Sequence, residues 1–248
     1  DPDDNFIPST RDLTKNAKNA KTILINSPNN PTGTVYDQTT LLKISKVAID
    51  NDLWVISDEV YDTQIWVGKH VSIRSIPEME KRTAVVGSMS KSHAMTGSRL
   101  GWVIAPEHVI EKLTDLACNT NYGVPGFIQD AGLYALTQIP NIEKIVAEPF
   151  NRRRKIAQKI GKEYPYIKIH QSLGGMYLMI DIRATGLNGI EFSKALLNDR
   201  GIAVMPGESF GDSSAGHIRV AMTISDDKFE YATRSICSFA SSFRTLTN

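Results

Sequence analysis

Four short apolar runs, at residues 22–26, 53–57, 83–87 and 100–105, most tightly limit how this chain can fold. Their hydrophobicity is continuous rather than alternating, the pattern of strands covered on both faces of a sheet. Between the first two lie residues 38–51, where Leu41, Ile44 and Ala48 recur at helical spacing, so the pair reads as a βαβ unit with parallel strands. The third run is reached through a looser segment holding Gly68 and Pro77. After Pro106 the pattern changes. Residues 107–117 place Ile110, Leu113 and Ala117 on one helical face, 126–136 form another helix, and 141–162 a longer one interrupted or kinked near Pro149. Short strands follow at 167–170, 176–182, 203–205 and 218–222, with helices at 189–199 and 226–243. The reading is α/β: a mostly parallel sheet in residues 1–145 and a smaller α+β domain in 146–248, with the boundary inside 139–152.

Composition narrows function. A net charge of +1 over 248 residues gives no electrostatic reason to expect nucleic acid or an anionic membrane as partner. No apolar stretch approaches the roughly 18 residues of a membrane span, and no signal-peptide pattern opens the chain. Cys118 and Cys237 form no CxxC pair, which favours a reducing, cytoplasmic setting. The five histidines show no metal spacing, so no metal is expected. The basic run at residues 152–155 reads as a solvated helix face. The chain opens Asp1-Pro2-Asp3-Asp4, close to a strand that reads as interior to a sheet, and a fragment is expected.

The polar residues that carry chemistry follow the first three runs immediately. They are Asn30 in Asn30-Pro31-Thr32-Gly33, Asp58 and Tyr61 in Ser57-Asp58-Glu59-Val60-Tyr61, and Lys91 in Ser88-Met89-Ser90-Lys91. Ligands of open α/β sheets bind outside the carboxyl ends of the strands, so Asn30, Asp58 and Lys91 are expected on one sheet edge. A lysine there, with an acid that keeps a pyridine nitrogen protonated, suits pyridoxal phosphate. Taken alone, Lys91 is a surface lysine and Asp58 a loop cap; their company raises both. Gly87-Ser88-Met89-Ser90-Lys91-Ser92 also approaches a phosphate loop, but Val85 and Ser90 stand where that motif requires glycine. Ser88 and Ser90 offer hydroxyls to a phosphate, and Arg99, eight residues past Lys91, offers a planar fork. Tyr61 and the Asn30 amide can reach the ring's phenolic oxygen. Arg219, inside the apolar run at 218–222, is either an exposed edge residue or a bidentate clamp for a substrate carboxylate.

These motifs, in this order, resemble those of the class I/II aminotransferases, the fold-type-I pyridoxal-phosphate enzymes typified by aspartate aminotransferase. Pro206-Gly207-Glu208-Ser209-Phe210-Gly211 and Ile218-Arg219 resemble the family's C-terminal signatures. The resemblance implies the C-terminal part of the large cofactor-binding domain in residues 1–145 and the small domain in 146–248, without the family's N-terminal part. It implies Lys91 as covalent anchor and proton shuttle, Asp58 at the ring nitrogen, Asn30 and Tyr61 at the ring oxygen, and Ser88, Ser90 and Arg99 at the phosphate. Arg219, with Asn30, would hold the amino acid. Amino-acid and 2-oxo-acid substrates and a homodimer follow from it, and the chain alone is expected to be impaired or inactive. The same residues also serve a pyridoxal-phosphate C–S lyase, an aminocyclopropane-carboxylate-type synthase, or a non-catalytic regulatory or inert fragment of the same fold.

Overall fold

The computed structural model describes residues 2–243. They divide into two compact units. One comprises residues 7–28 and 35–147; the other takes residues up to Phe6, the loop 29–34 and the chain from Glu148. The break near Ala147 lies beside the division read from the sequence. The transfer of two N-terminal segments to the C-terminal unit is marked by no shift in composition.

The first unit holds α1 (Thr10–Ala17), β1 (Thr22–Asn26), α2 (Gln38–Asp50), β2 (Trp54–Asp58), β3 (Thr83–Ser88), the single-turn α3 (Met89–Ser92), β4 (Gly101–Ile104), α4 (Glu107–Thr120) and α5 (Gly126–Gln138). β1, β2 and β3 pair in parallel in that order, and β4 adds antiparallel to β3. Asp37 starts α2 by accepting the Thr40 N–H at 2.7 Å, and these hydrogen bonds hold its carboxyl below the ordinary value. Leu41, Ile44, Val47 and Ala48 then meet Ile25 and Val55 in a core closed by Leu53, Ile73, Ile76 and Met79. Each such fully buried side chain contributes roughly 1.5–3 kcal/mol.

Cover on both faces, expected from the continuous hydrophobicity, is not what the structure has. α2 and the 73–79 segment bury one face. On the other, Leu24 is 69% exposed and Ile56 37%, and all of β4 is exposed. The apolar pattern reports what these strands would bury; the described elements of this unit cover only half of it.

In the second unit, β5 (Lys168–Ile169), β6 (Tyr177–Asp181), β7 (Met205–Pro206) and β8 (His217–Ala221) form an antiparallel sheet in the order β5-β6-β8-β7. Leu178, Ile180, Ile218 and Val220 face a core completed by Ala157 and Ile160 of α6 (Ile142–Glu163), Phe192 and Leu196 of α7 (Gly189–Arg200), and Phe229 and Ile236 of α8 (Asp226–Ser242). α7 begins with a capping box between Asn188 and Glu191 and ends at Gly201 in the left-handed region. α6 crosses the division between the units and runs on through Pro149. The lost backbone bond is confined to one turn, and the helix beyond it is held by the burial of Ala157 and Ile160.

Candidate active site

Asp58 is the last residue of β2, paired in register with Asn26 of β1 and Val86 of β3. Its carboxyl is half-buried and accepts the Val60 N–H at 3.2 Å. Burial pushes its pKa up; the Val60 hydrogen bond opposes this and the charge of Glu59 adds to it. A cation brought to this carboxylate relieves that desolvation. Lys91 lies in α3, directly after the neighbouring strand β3. Among the described residues no ion pair involves its amine.

The two strand ends are joined by a residue with no motif of its own. Gln64, fully buried, donates from Nε2 to the Lys91 carbonyl at 3.1 Å, while its own N–H bonds the Tyr61 carbonyl at 2.8 Å. Tyr61, itself buried, therefore sits in a turn fixed at both ends. A second network stiffens the start of that turn. Buried Glu59 accepts from Ser57 Oγ at 2.8 Å and Ser72 Oγ at 2.7 Å, and its other oxygen lies 2.8 Å from His70 Nε2.

Ser88, Ser90 and Arg99 line one cavity of about 750 Å³, with Trp102 and Tyr122. Ile110, Leu113 and Ala117, the apolar face of α4, complete its wall. The Ser88 hydroxyl donates to the Leu100 carbonyl at 3.2 Å and accepts the Ser90 N–H at 3.0 Å, so its own proton is spent on local structure. Arg99 is exposed, in the left-handed region at φ 54°, and donates to the Thr96 carbonyl at 3.0 Å. The remaining arms of its fork and the Ser90 hydroxyl are the groups here that suit a phosphate.

In the C-terminal unit, Arg219 of β8 donates from Nη1 to Asn30 Oδ1 at 2.9 Å. Its guanidinium carbon lies 4.2 Å from the Tyr177 ring centre and 4.8 Å from that of Phe210. Val220 and Met222 point into the core on the opposite face. Its Nε is buried without a hydrogen-bond partner. Arg219 is therefore not an exposed edge arginine: β8 lies between β6 and β7, and the side chain is stacked and oriented. Asn30 reaches it because the 29–34 loop is pinned within this unit. The Gly33 carbonyl accepts the N–H groups of Leu173 and Gly174 at 2.8 and 2.9 Å. Gly33 has φ 70°, and a Cβ there would fall 2.3 Å from Ser172 Oγ, so only glycine fits.

The model of the family "Aminotransferase class I and II" matches residues 7–236. The chain is 41% identical over 217 residues to the arginine–pyruvate transaminase of Pseudomonas aeruginosa, covering 87% of this chain and 55% of that protein. It is 36% identical over 239 residues to an aspartate aminotransferase of Pyrococcus horikoshii, covering 94% and 60%. The structure of an aromatic aminotransferase from Pyrococcus horikoshii superposes with a TM-score of 0.93 at 33% identity, covering all of this chain and 67% of that one. The chain thus spans little more than half the length of the two relatives compared by sequence, and its fold is that of the aromatic aminotransferase over the part they share. It belongs to the class I and II aminotransferases, with the α/β fold of the fold-type-I enzymes.

Proposed function

We propose that the protein carrying this chain is a pyridoxal-phosphate-dependent aminotransferase, moving an amino group between an amino acid and a 2-oxo acid. One observation carries the reading: Asp58 closes β2, Lys91 lies in the helical turn directly after the adjacent parallel strand β3, and Gln64 ties the two turns together. The residues fit the cofactor, because a desolvated carboxylate, an amine outside any ion pair among the described residues and a hydroxyl-and-arginine cavity match its ring nitrogen, aldehyde and phosphate. When bound, pyridoxal phosphate supplies an electron sink for the charge left on the substrate's α-carbon.

The chain's own residues would divide the remaining work. Asp58 would hold the ring nitrogen in its protonated form by ion pairing. Lys91 would anchor the cofactor and move the proton at the α-carbon. Tyr61 and Asn30 would donate to the ring's phenolic oxygen. Ser90 and Arg99, with Ser88 as a positioning hydroxyl, would take the phosphate. Arg219 would meet the substrate's α-carboxylate, since its Nε–H is unspent and two rings hold its plane. The relatives' donors differ, being arginine in one and aspartate in another, and what they share is the α-amino acid group that Arg219 reads.

A homodimer is the inferred assembly, supported by exposed apolar side chains around α4 and α5, among them Tyr122 at 90% and Phe127 at 73%. No helix among the described residues is long and apolar enough to cross a membrane. A cytoplasmic setting is supported by the two unpaired cysteines.

The test is the half-reaction, run on the product of the open reading frame that encodes this sequence. Adding an amino acid to the pyridoxal-phosphate form should yield pyridoxamine phosphate and one equivalent of the 2-oxo acid. Release of ammonia with a thiol from a sulfur-containing donor, and no pyridoxamine phosphate, would instead assign a lyase.

A further inference from the structure

The cross-strand pairing of the small sheet gathers two imidazoles and a carboxylate that the proposed transfer reaction does not use. His217 of β8 is paired directly with Asp181 of β6, and the His170 N–H, just past β5, bonds the Met179 carbonyl of β6 at 2.9 Å. One atom of each group lies within 4.8 Å of the other two, with His217 Nε2 3.9 Å from Asp181 Oδ2. His170 is 4% exposed and His217 fully buried.

Their hydrogen bonding is incomplete in a directed way. His217 Nδ1 lies 2.9 Å from the Ala215 carbonyl, which can only accept, so the proton sits on Nδ1 and the Nε2 lone pair faces the cluster. Among the described residues His217 Nε2 has no hydrogen-bond partner, and neither ring nitrogen of His170 has one. Leaving such buried groups unmet costs roughly 1–3 kcal/mol each, and each calls for an ion or a bound water.

We propose that His170, Asp181 and His217 form a binding site for one divalent transition-metal ion of the zinc class. The donor set is the borderline imidazole–carboxylate type that zinc accepts. Two of the three groups have the outer contacts that metal ligands use: a backbone carbonyl orients His217, and Arg183 holds Asp181 through its backbone N–H at 2.9 Å and its guanidinium at 2.6–3.0 Å. Tetrahedral zinc at about 2.0–2.2 Å from each ligand sets donor pairs roughly 3.3–3.6 Å apart, so the three atoms, within 4.8 Å of one another, need to close by at most about 1.5 Å. The charges nearby nearly balance, with Lys168 and Arg183 set against Asp3 and Asp181. The Phe6 ring packs edge-on against both imidazoles, at 5.0 and 5.7 Å between centres. His217 is two residues from Arg219 on the same face of β8, so the ion would clamp β5, β6 and β8 beside the carboxylate-binding arginine.

The 248-residue chain, stripped with a chelator and carrying Cys118→Ser to remove the exposed thiol, should bind one equivalent of zinc in competition with a chromophoric chelator. Its Tm should rise with zinc concentration, and cobalt(II) should give a tetrahedral visible spectrum without a thiolate band. His170→Ala should weaken zinc at least as much as loss of an outer-shell partner does, by about 10–100-fold or more. If that variant does not fold, the cobalt spectrum of the Cys118→Ser chain carries the decision. Substoichiometric binding, as expected if a water fills the cluster, overturns the proposal. So does a thiolate-type cobalt spectrum, or zinc affinity unchanged in folded His170→Ala.

Discussion

Replacing Arg219 by lysine keeps the charge and removes everything else its geometry supplies. The guanidinium sits 4.2 and 4.8 Å from the centres of Tyr177 and Phe210, bonds Asn30 at 2.9 Å, and keeps a buried Nε–H without a partner. A lysine ammonium has no plane to lie on the two rings and no second parallel donor. A charge-assisted hydrogen bond is worth about 1.5–3 kcal/mol, and at 1.4 kcal/mol per tenfold this predicts a drop of about 10- to 100-fold in kcat/KM for amino acids. Stability should fall less, by about 0.5–1 kcal/mol for each ring contact weakened. The assay compares kcat/KM across several amino donors in wild type and Arg219→Lys, with the cofactor's absorbance as control. That absorbance should not change, because Arg219 is not among the groups assigned to the cofactor. Unaltered amino-acid kinetics would refute the clamp, and a parallel loss of cofactor would show that the substitution acts on the fold.

Asp58→Asn should cut turnover by several orders of magnitude, since a neutral amide cannot hold the ring nitrogen protonated, yet it should stabilise the cofactor-free chain. Burial raises the folded Asp58 pKa, so wild type loses stability as pH climbs from the unfolded value of about 3.9 toward the folded one; Tm against pH for both proteins should diverge in that window, and parallel curves would refute the assignment. Gly87→Ala places a Cβ 2.4 Å from the Trp102 ring across β3 and β4, and should destabilise by about 1–3 kcal/mol in urea melts. At neutral pH a thiol reagent should label Cys118 and spare Cys237, whose burial pushes its pKa up to about 11; prompt labelling of both would contradict the packing of α8.

The α/β architecture was readable because its signals are local. Continuous apolar runs became β1 to β4, and a 3.6-residue period became α2. The placing of Asp58 and Lys91 at neighbouring strand ends was readable for a related reason, Asp58 closing β2 and Lys91 lying three residues past β3. What depends on distant pairing was not readable from local pattern, and only the family resemblance put Asn30 with Arg219. Asn30 and Arg219 are 189 residues apart and meet because the Gly33 loop is pinned to Leu173 and Gly174. Gln64 carries no motif, and its value lies in a side-chain bond to a backbone carbonyl that no spacing reveals. His170, Asp181 and His217 come from separate strand segments, so a search for ligand spacing along the chain passes over them. The uncovered sheet face shows the converse limit: hydrophobicity states what a strand would bury, and the neighbouring elements decide whether it is buried.

The central claim is that Lys91 carries pyridoxal phosphate. Borohydride reduction of the cofactor-loaded product of the open reading frame that encodes this sequence, followed by peptide mapping in a mass spectrometer, tests it at the level of one bond. The account predicts a stable pyridoxyl group on Lys91, and its disappearance in Lys91→Ala. A label distributed over other lysines, or one that survives Lys91→Ala undiminished, would contradict it.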